Sequence, residues 1–207
     1  MTFVDGLLGL AGVALALALR PWRMLPDAAL PWPALAAWAA LPLLWSLDAT
    51  TGMPLLQPLS GACLLLLMLG WPLTVLMLVP VTAVMAAATE LTLLDALHRS
   101  VWLGLVPATL ALGLGAALRR WLPHHLFVYI LGRGFFITAL ALGATGALSA
   151  WLHGVPGSLD SADVVLARGL TAFGEAFLTG MLVAIFVAFR PHWLATYTDR
   201  IYLPRDG

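Results

Sequence analysis

Charged side chains inside apolar stretches are the residues of this sequence most able to do chemistry. Arg168 and Glu175 lie within the apolar stretch Asp163–Phe189, which is long enough to cross a bilayer because a crossing takes about 20 residues. Arg133 lies within the preceding apolar stretch, and Asp5 near the start of the first. A charge at membrane depth costs at least about 2.5–3.5 kcal/mol, so it normally faces a bundle interior or a water-filled cavity. We therefore take these four as candidate site residues.

Their positions also suggest partners. Arg168 and Glu175 are seven residues apart and so share one helix face. At a rise of 1.5 Å per residue, Arg133 and Glu175 lie close enough in depth for long side chains to meet. Arg168 and Asp5 both lie near the outer ends of their stretches. We predict the pairs Arg133–Glu175 and Arg168–Asp5, and two interpretations stay open: the pairs fix helix packing, or the charges line a substrate path.

The composition predicts an integral membrane protein. The chain is 62% hydrophobic and 10% charged, against about 25% charged residues in soluble domains. We expect a single transmembrane domain over residues 1–207, with the N-terminal stretch retained as a first span because it lacks a basic leader region. The net charge is zero and there is no basic run, which argues against nucleic-acid binding. The single cysteine, Cys63, cannot form a disulfide within the chain or a CxxC zinc site.

Apolar stretches bounded by turn signals predict an all-α fold, a polytopic membrane helix bundle of about seven transmembrane helices. The predicted spans, of which the third is short, are Phe3–Leu19, Leu30–Leu47, Leu55–Leu69, Trp71–Ala88, Val101–Leu118, Leu126–Leu152 and Asp163–Phe189.

Arginine positions predict the orientation of these spans. With the N-terminus outside and the C-terminus inside, Arg99 is the one arginine of the outer loops, and this asymmetry follows the positive-inside rule. The inner loops hold Arg20, Arg23, Arg119, Arg120, Arg190, Arg200 and Arg205. Most tryptophans fall near span ends, as in the aromatic belts of membrane proteins.

Sequence motifs give no support for an enzyme. The chain has no HExxH, GxSxG, phosphate-binding loop or dinucleotide fingerprint. Every histidine is predicted to lie outside the apolar spans, so no nucleophile–base pair is visible. The adjacent His124 and His125 point to different sides of a helix. Two interpretations stay open for this pair: a solvated inner turn, or a metal site. We expect no enzymatic activity and no cofactor.

Three segments resemble the CbiM/NikM membrane subunits of energy-coupling-factor cobalt and nickel importers. The opening MTFVDGLL resembles the family's Met-His-Ile-x-Glu-Gly-Phe-Leu, and Pro58-Leu59-Ser60-Gly61 resembles its His-x-Thr-Gly stretch. Gly174-Glu175 resembles the Gly-Glu-Gly of its last helix. A divergent bacterial branch is closer still. It shares patterns like Leu126 to Ile130 with Gly134-Phe135-Phe136, like Glu175 to Met181, and like Pro191 to Leu194.

The resemblance implies a permease or substrate-binding subunit that holds a small solute or ion within a seven-helix bundle of the bacterial plasma (inner) membrane. It also implies membrane lipid, an ABC-type ATPase and a transmembrane coupling subunit as partners. The family holds its metal with histidines at positions that here are Thr2 and Pro58, so we expect no nickel or cobalt site of that type. The alternative is a non-transporting scaffold or assembly subunit of a larger membrane complex.

Overall fold

The structure is a computed structural model that describes residues 2–23, 31–51, 57–123, 125–154, 161–198 and 202. Its regular elements over those ranges are all helical. The α-helices are α1 Thr2–Ala18, α2 Trp32–Trp45, α3 Leu47–Thr51, α4 Ala62–Leu69, α5 Trp71–Ala88, α6 Leu93–Arg99, α7 Val106–Trp121, α8 Ile137–His153 and α9 Ser161–Phe189. Short 3-10 turns follow α1 at Pro21–Arg23 and α9 at Pro191–Trp193.

Four helical stretches are long and apolar enough to cross a membrane. They are Trp71–Ala88, Leu93–Trp121, Val128–His153 and Ala162–Phe189. The helices α1 and α2 are apolar but shorter. The described part of the chain is therefore a helical membrane bundle, as the composition predicted.

The predicted third span, Leu55–Leu69, is not one continuous helix. Helix α4 has eight residues and so rises about 12 Å, against about 30 Å for the hydrocarbon core. The preceding residues 57–61 are not helical, and residues 55 and 56 lie outside the described ranges. Pro58 disfavours helix in the residue before it, and Gly61 adopts a left-handed φ of +68° that glycine tolerates best.

Helix α4 lies at the centre of the core. It packs against α2, α5, α7 and α9, and seven of its eight residues are buried. Because the helix is apolar on every side, its neighbours must surround it completely. Glu175 binds the backbone just before this helix, and Thr196 binds its last turn.

Two of the long stretches contain π-helical segments. Ser100–Leu105 joins α6 to α7, and Val128–Phe136 precedes α8. The helix Leu93–Arg99 precedes the predicted span Val101–Leu118 and continues into it without a break. Such wide turns are rare and often occur at functional sites. The first contains Trp102 and the second contains Arg133.

The bundle has two distinguishable ends. One, the Asp5 end, brings together Asp5 and His98. The other, the tail end, brings Trp32 at the start of α2 against Trp193 after α9, with ring centroids 5.8 Å apart. Arg168, in the first turns of α9, lines one cavity with His98, and α9 rises about 43 Å over its 29 residues, so the end of α9 lies far from Asp5.

Candidate polar site at the Asp5 end

A cavity of about 290 Å³ opens at the Asp5 end between α6, α8 and α9. We call it the polar pocket, because its lining mixes hydrogen-bonding side chains with Pro58, Trp102 and Leu103. Its polar lining residues are Asp48, Gln57, His98, Arg99, Thr145, Ser149 and Arg168. Only one of the four predicted site residues, Arg168, lines it.

Arg168 projects from α9 toward α8. Its Nη1 donates a hydrogen bond of 2.6 Å to the carbonyl of Gly146, while its Nε is buried and has no hydrogen-bond partner in the described part of the chain. A Cβ on Gly146 would lie 3.3 Å from Gln57 Oε1 and 3.4 Å from Arg168 Cδ. The missing side chain at Gly146 therefore makes room for both polar groups. One N–H group of the guanidinium is thus left unpaired within the described part of the chain.

Arg99 and Asp48 form a two-point ion pair at the edge of the polar pocket. The two Nη–Oδ distances are 2.5 and 2.8 Å, and Arg99 also donates to the carbonyl of Trp45. The hydrogen bond from the Arg99 guanidinium lowers the pKa of the Asp48 carboxyl below its ordinary value. Since these groups satisfy each other, the Asp48 carboxylate does not neutralise Arg168.

Asp5 has different partners from the predicted one. Its Oδ2 lies 2.8 Å from His98 Nδ1, and Trp102 Nε1 donates to its Oδ1 at 2.9 Å. The predicted pair of Asp5 with Arg168 is wrong. Helix α1 packs against α5, α6 and the first π-helical segment, so the groups nearest Asp5 come from α6 and its continuation. Asp5 is only 3% exposed, as its position in an apolar stretch suggested.

Glu175 is buried in the bundle, with 5% of its surface exposed, but its predicted pair with Arg133 is wrong. Its two carboxylate oxygens accept hydrogen bonds from the backbone nitrogens of Ser60 at 2.6 Å and Gly61 at 2.8 Å. These N–H groups precede α4, where the interrupted helix leaves backbone donors free. A negative charge is also favourable at a helix N-terminus. Backbone N–H groups, and not an arginine, are thus the partners of the Glu175 carboxylate.

The rest of the non-helical segment is also satisfied from within the bundle. Ser60 Oγ donates to the carbonyl of Leu103 at 2.6 Å. Trp45 Nε1 donates to the carbonyl of Leu59 at 3.0 Å. Irregular backbone at membrane depth is tolerated only where protein or water meets its polar groups. Glu175, Trp45 and the first π-helical segment together meet that requirement.

Arg133 lies near the other end of α4. It is 4% exposed, with its guanidinium carbon 5.7 Å from the centroid of the Tyr129 ring and its Nη1 3.5 Å from the carbonyl of Thr196. Thr196 Oγ1 donates to the carbonyl of Leu67 at 3.0 Å. Arg133 therefore helps to hold the segment after α9 against the last turn of α4, where a positive charge suits the helix dipole.

Sequence reasoning missed several members of these clusters. His98 was predicted only to lie outside the apolar spans, and Ser60 was read only as part of a motif. The signal for Ser60 was available, because Pro58 and Gly61 interrupt an apolar stretch and must free backbone donors. Met1 and His124 lie outside the described residues. No family model, curated protein or solved structure matches the chain, so functional inference rests on the residues and their geometry.

Proposed function

We propose that this protein is the membrane permease or substrate-binding subunit of an energy-coupling-factor-type transporter, related to the CbiM/NikM subunits. It binds a small solute or ion in the polar pocket and acts without catalysing a reaction. The observation that carries the proposal is Arg168, a cation that lines that pocket and whose buried Nε has no hydrogen-bond partner in the described part of the chain. A buried donor without a partner is costly, and a bound acceptor would satisfy it.

The pocket's size and polarity indicate the chemistry of the solute. About 290 Å³ is at the lower limit of typical small-molecule sites, so the solute has few heavy atoms. Arg168 is a permanent donor, and the carboxylate of Asp48 is already bound to Arg99. The positive charge of Arg168 therefore favours a solute that carries a carboxylate or a comparable acceptor group.

The interrupted segment before α4 supports a transport role. Gln57 and Pro58 line the pocket, and Glu175 fixes the backbone of Ser60 and Gly61 directly after them. In many transporters the solute site is formed where a membrane helix is broken near the middle of the bilayer. Glu175 is then a positioning residue for the pocket rather than a ligand.

The proposed topology has seven passes in the bacterial inner membrane, with the N-terminus outside and the C-terminus inside. Helix α4 and the residues before it together make the third pass. This arrangement puts Arg20, Arg119, Arg120 and Arg190 on the inner side, in accord with the positive-inside rule. An ABC-type ATPase and a transmembrane coupling subunit supply the energy for transport.

Ligand-dependent thermal stabilisation tests the solute site. Purified protein in mild detergent is heated with a panel of small carboxylates, other anions and neutral polar solutes. A true solute raises the unfolding midpoint of the wild type, because binding stabilises the folded state by mass action. Arg168→Met should abolish that shift, while Arg120→Met, a change of the same type outside the pocket, should keep it. A shift that persists in Arg168→Met would refute the assignment of this pocket.

A scaffold role is the second candidate, and one surface favours it. Helix α9 exposes a stripe of large apolar residues, each more than half exposed: Leu166, Leu170, Phe173 and Phe177. In a scaffold role a partner membrane helix packs against this stripe, which lipid covers otherwise. Copurification in mild detergent separates the two roles: an ABC-type ATPase among the copurified proteins supports transport, whereas subunits of another complex alone support the scaffold.

A further inference from the structure

We infer that Asp5, His98 and His153 form a binding site for a divalent transition-metal ion at the Asp5 end. One potential ligand atom from each residue lies within 4.8 Å of the other two. The residues come from α1, α6 and the last turn of α8. This site uses neither Thr2 nor Pro58, and it goes beyond the proposed solute pocket.

The three side chains already face one another. Asp5 Oδ2 lies 2.8 Å from His98 Nδ1, and the rings of His98 and His153 meet edge to face with centroids 4.8 Å apart. Metal–ligand bonds of about 2.0–2.1 Å place tetrahedral ligand atoms about 3.3 Å apart. Bringing the three ligand atoms from 4.8 Å to that distance takes side-chain movements on the order of 1 Å and no rearrangement of the helices.

The surrounding hydrogen bonds resemble the outer contacts of metal sites. Trp102 Nε1 donates to Asp5 Oδ1 at 2.9 Å, and a metal would take Oδ2 in place of its present contact with His98 Nδ1. His153 Nδ1 lies 3.1 Å from the carbonyl of Ser149. That contact makes Nδ1 the protonated nitrogen and leaves the Nε2 lone pair available. Ligating histidines in proteins are usually fixed by such a bond through their other ring nitrogen.

The donor set selects the class of ion. Two imidazoles and one carboxylate suit zinc and its neighbours in the first transition row, whereas Mg²⁺ prefers an all-oxygen shell. Three protein ligands leave a fourth position for water or a solute. Because His98 also lines the polar pocket, a molecule in that pocket can reach the ion. The alternative is that Asp5 and His98 form a simple ion pair with no metal.

Zn²⁺ titration of the purified protein tests the inference. The protein carries a tag without histidine, is stripped with a chelator, and is titrated in competition with a fluorescent zinc indicator. We expect one equivalent of Zn²⁺ per chain and no competition by Mg²⁺. His153→Gln and His98→Gln should each weaken Zn²⁺ binding at least 100-fold, beyond the roughly 10–100-fold typical for loss of an outer-shell contact. Trp102→Phe should weaken it within that smaller range.

His125→Gln is the matched control, because His125 is an exposed histidine distant from this cluster, and it should bind Zn²⁺ like the wild type. Circular dichroism confirms that each variant is folded before titration. Less than 0.2 equivalents bound by the wild type, or equal binding by His98→Gln, His153→Gln and wild type, would overturn the site. This titration measures Zn²⁺ itself, so a negative result does not contradict the proposed solute pocket. Equally, failure of the Arg168→Met test does not contradict the metal site.

Discussion

The Glu175 carboxylate lies 2.6 Å from the backbone nitrogen of Ser60, although the two residues are 115 positions apart. The same side chain also accepts from the Gly61 nitrogen. These bonds join the middle of α9 to the start of α4 and hold a non-helical segment inside the bundle. Both partners are N–H donors, so both carboxylate oxygens of Glu175 must act as acceptors. Glu175 thus satisfies two of the backbone donors of the interrupted segment, beside the contacts from Trp45 and Leu103.

Glu175→Ala should destabilise the protein strongly, because it leaves two buried N–H groups unpaired. Hydrogen bonds to charged groups contribute about 1.5–3 kcal/mol each, so we expect a loss of roughly 3 kcal/mol or more. Glu175→Gln keeps one acceptor oxygen but turns an NH₂ group toward a donor, and we expect about half that loss. Unfolding in detergent, followed by circular dichroism, measures both.

Adding Arg133→Ala to Glu175→Ala distinguishes this arrangement from a buried ion pair. The two residues have separate partners, so their effects on the free energy of unfolding should add within about 0.5 kcal/mol. In an ion pair, the second substitution would remove an orphaned charge and restore stability. A double variant more stable than Glu175→Ala alone would therefore contradict the hydrogen bonds described above.

Gly61→Ala should also destabilise the segment that Glu175 holds. The φ of +68° disfavours a side chain, and the added Cβ would lie 2.9 Å from Leu41 Cδ2, so we expect a loss of about 1–3 kcal/mol. Gly143→Ala is the matched control, since a Cβ there meets nothing within 4 Å and helix interiors favour alanine by about 0.5–1 kcal/mol. Equal stability of the two variants would show that the left-handed turn at Gly61 is not required.

The sequence was sufficient to predict a helical membrane bundle and the burial of particular charges. Burial follows from local apolar context, which the sequence displays directly, and Asp5, Arg133 and Glu175 are each at most 5% exposed. The partners of these charges depend on which helices pack together, which the sequence does not show directly. The predicted pairing of Arg133 with Glu175 was wrong for that reason. That prediction matched charge with charge and overlooked the backbone donors that Pro58 and Gly61 release.

The polar pocket illustrates a second reason for incomplete prediction. His98 was predicted to lie outside the apolar spans and Arg99 in an outer loop, although both end the helical stretch Leu93–Arg99. A π-helical segment carries that stretch into the next span without a break, so His98 faces Asp5 instead of solvent alone. A wide turn of this kind has no simple periodic signature, since it shifts the helical phase by a single residue.

Cysteine labelling tests one part of the proposed topology, the placement of the ends of α5 and α9 on opposite sides of the membrane. In a Cys63→Ala background, Glu90→Cys and His192→Cys each place one thiol at an exposed position, beyond α5 and beyond α9. A membrane-impermeant maleimide should label Glu90→Cys in intact spheroplasts and His192→Cys only after permeabilisation. Labelling of both positions from the same side would rule out an arrangement in which α5 and α9 end on opposite sides.

The Asp48–Arg99 pair gives a prediction about pH. Arg99 lowers the pKa of Asp48 in the folded state, so the folded protein binds this proton less readily than the unfolded chain does. The stabilisation is therefore fully present above the unfolded pKa near 4 and is lost as the pH falls through the lower, folded pKa. Asp48→Asn should cost about 1 kcal/mol at pH 7, because the pair is two-point and only partly exposed.

That cost should shrink as the pH is lowered from 5 toward 3, since the unfolded wild-type chain then binds a proton at this carboxyl more readily than the folded protein does. Thermal unfolding of wild type and variant in the same detergent across this range measures the difference. Glu90→Gln, which neutralises an exposed carboxylate, controls for the general effect of removing a negative charge. A cost of Asp48→Asn that stayed constant from pH 7 to pH 3 would mean that Asp48 stabilises the fold through its shape or neutral hydrogen bonds, and not through the charge that Arg99 holds.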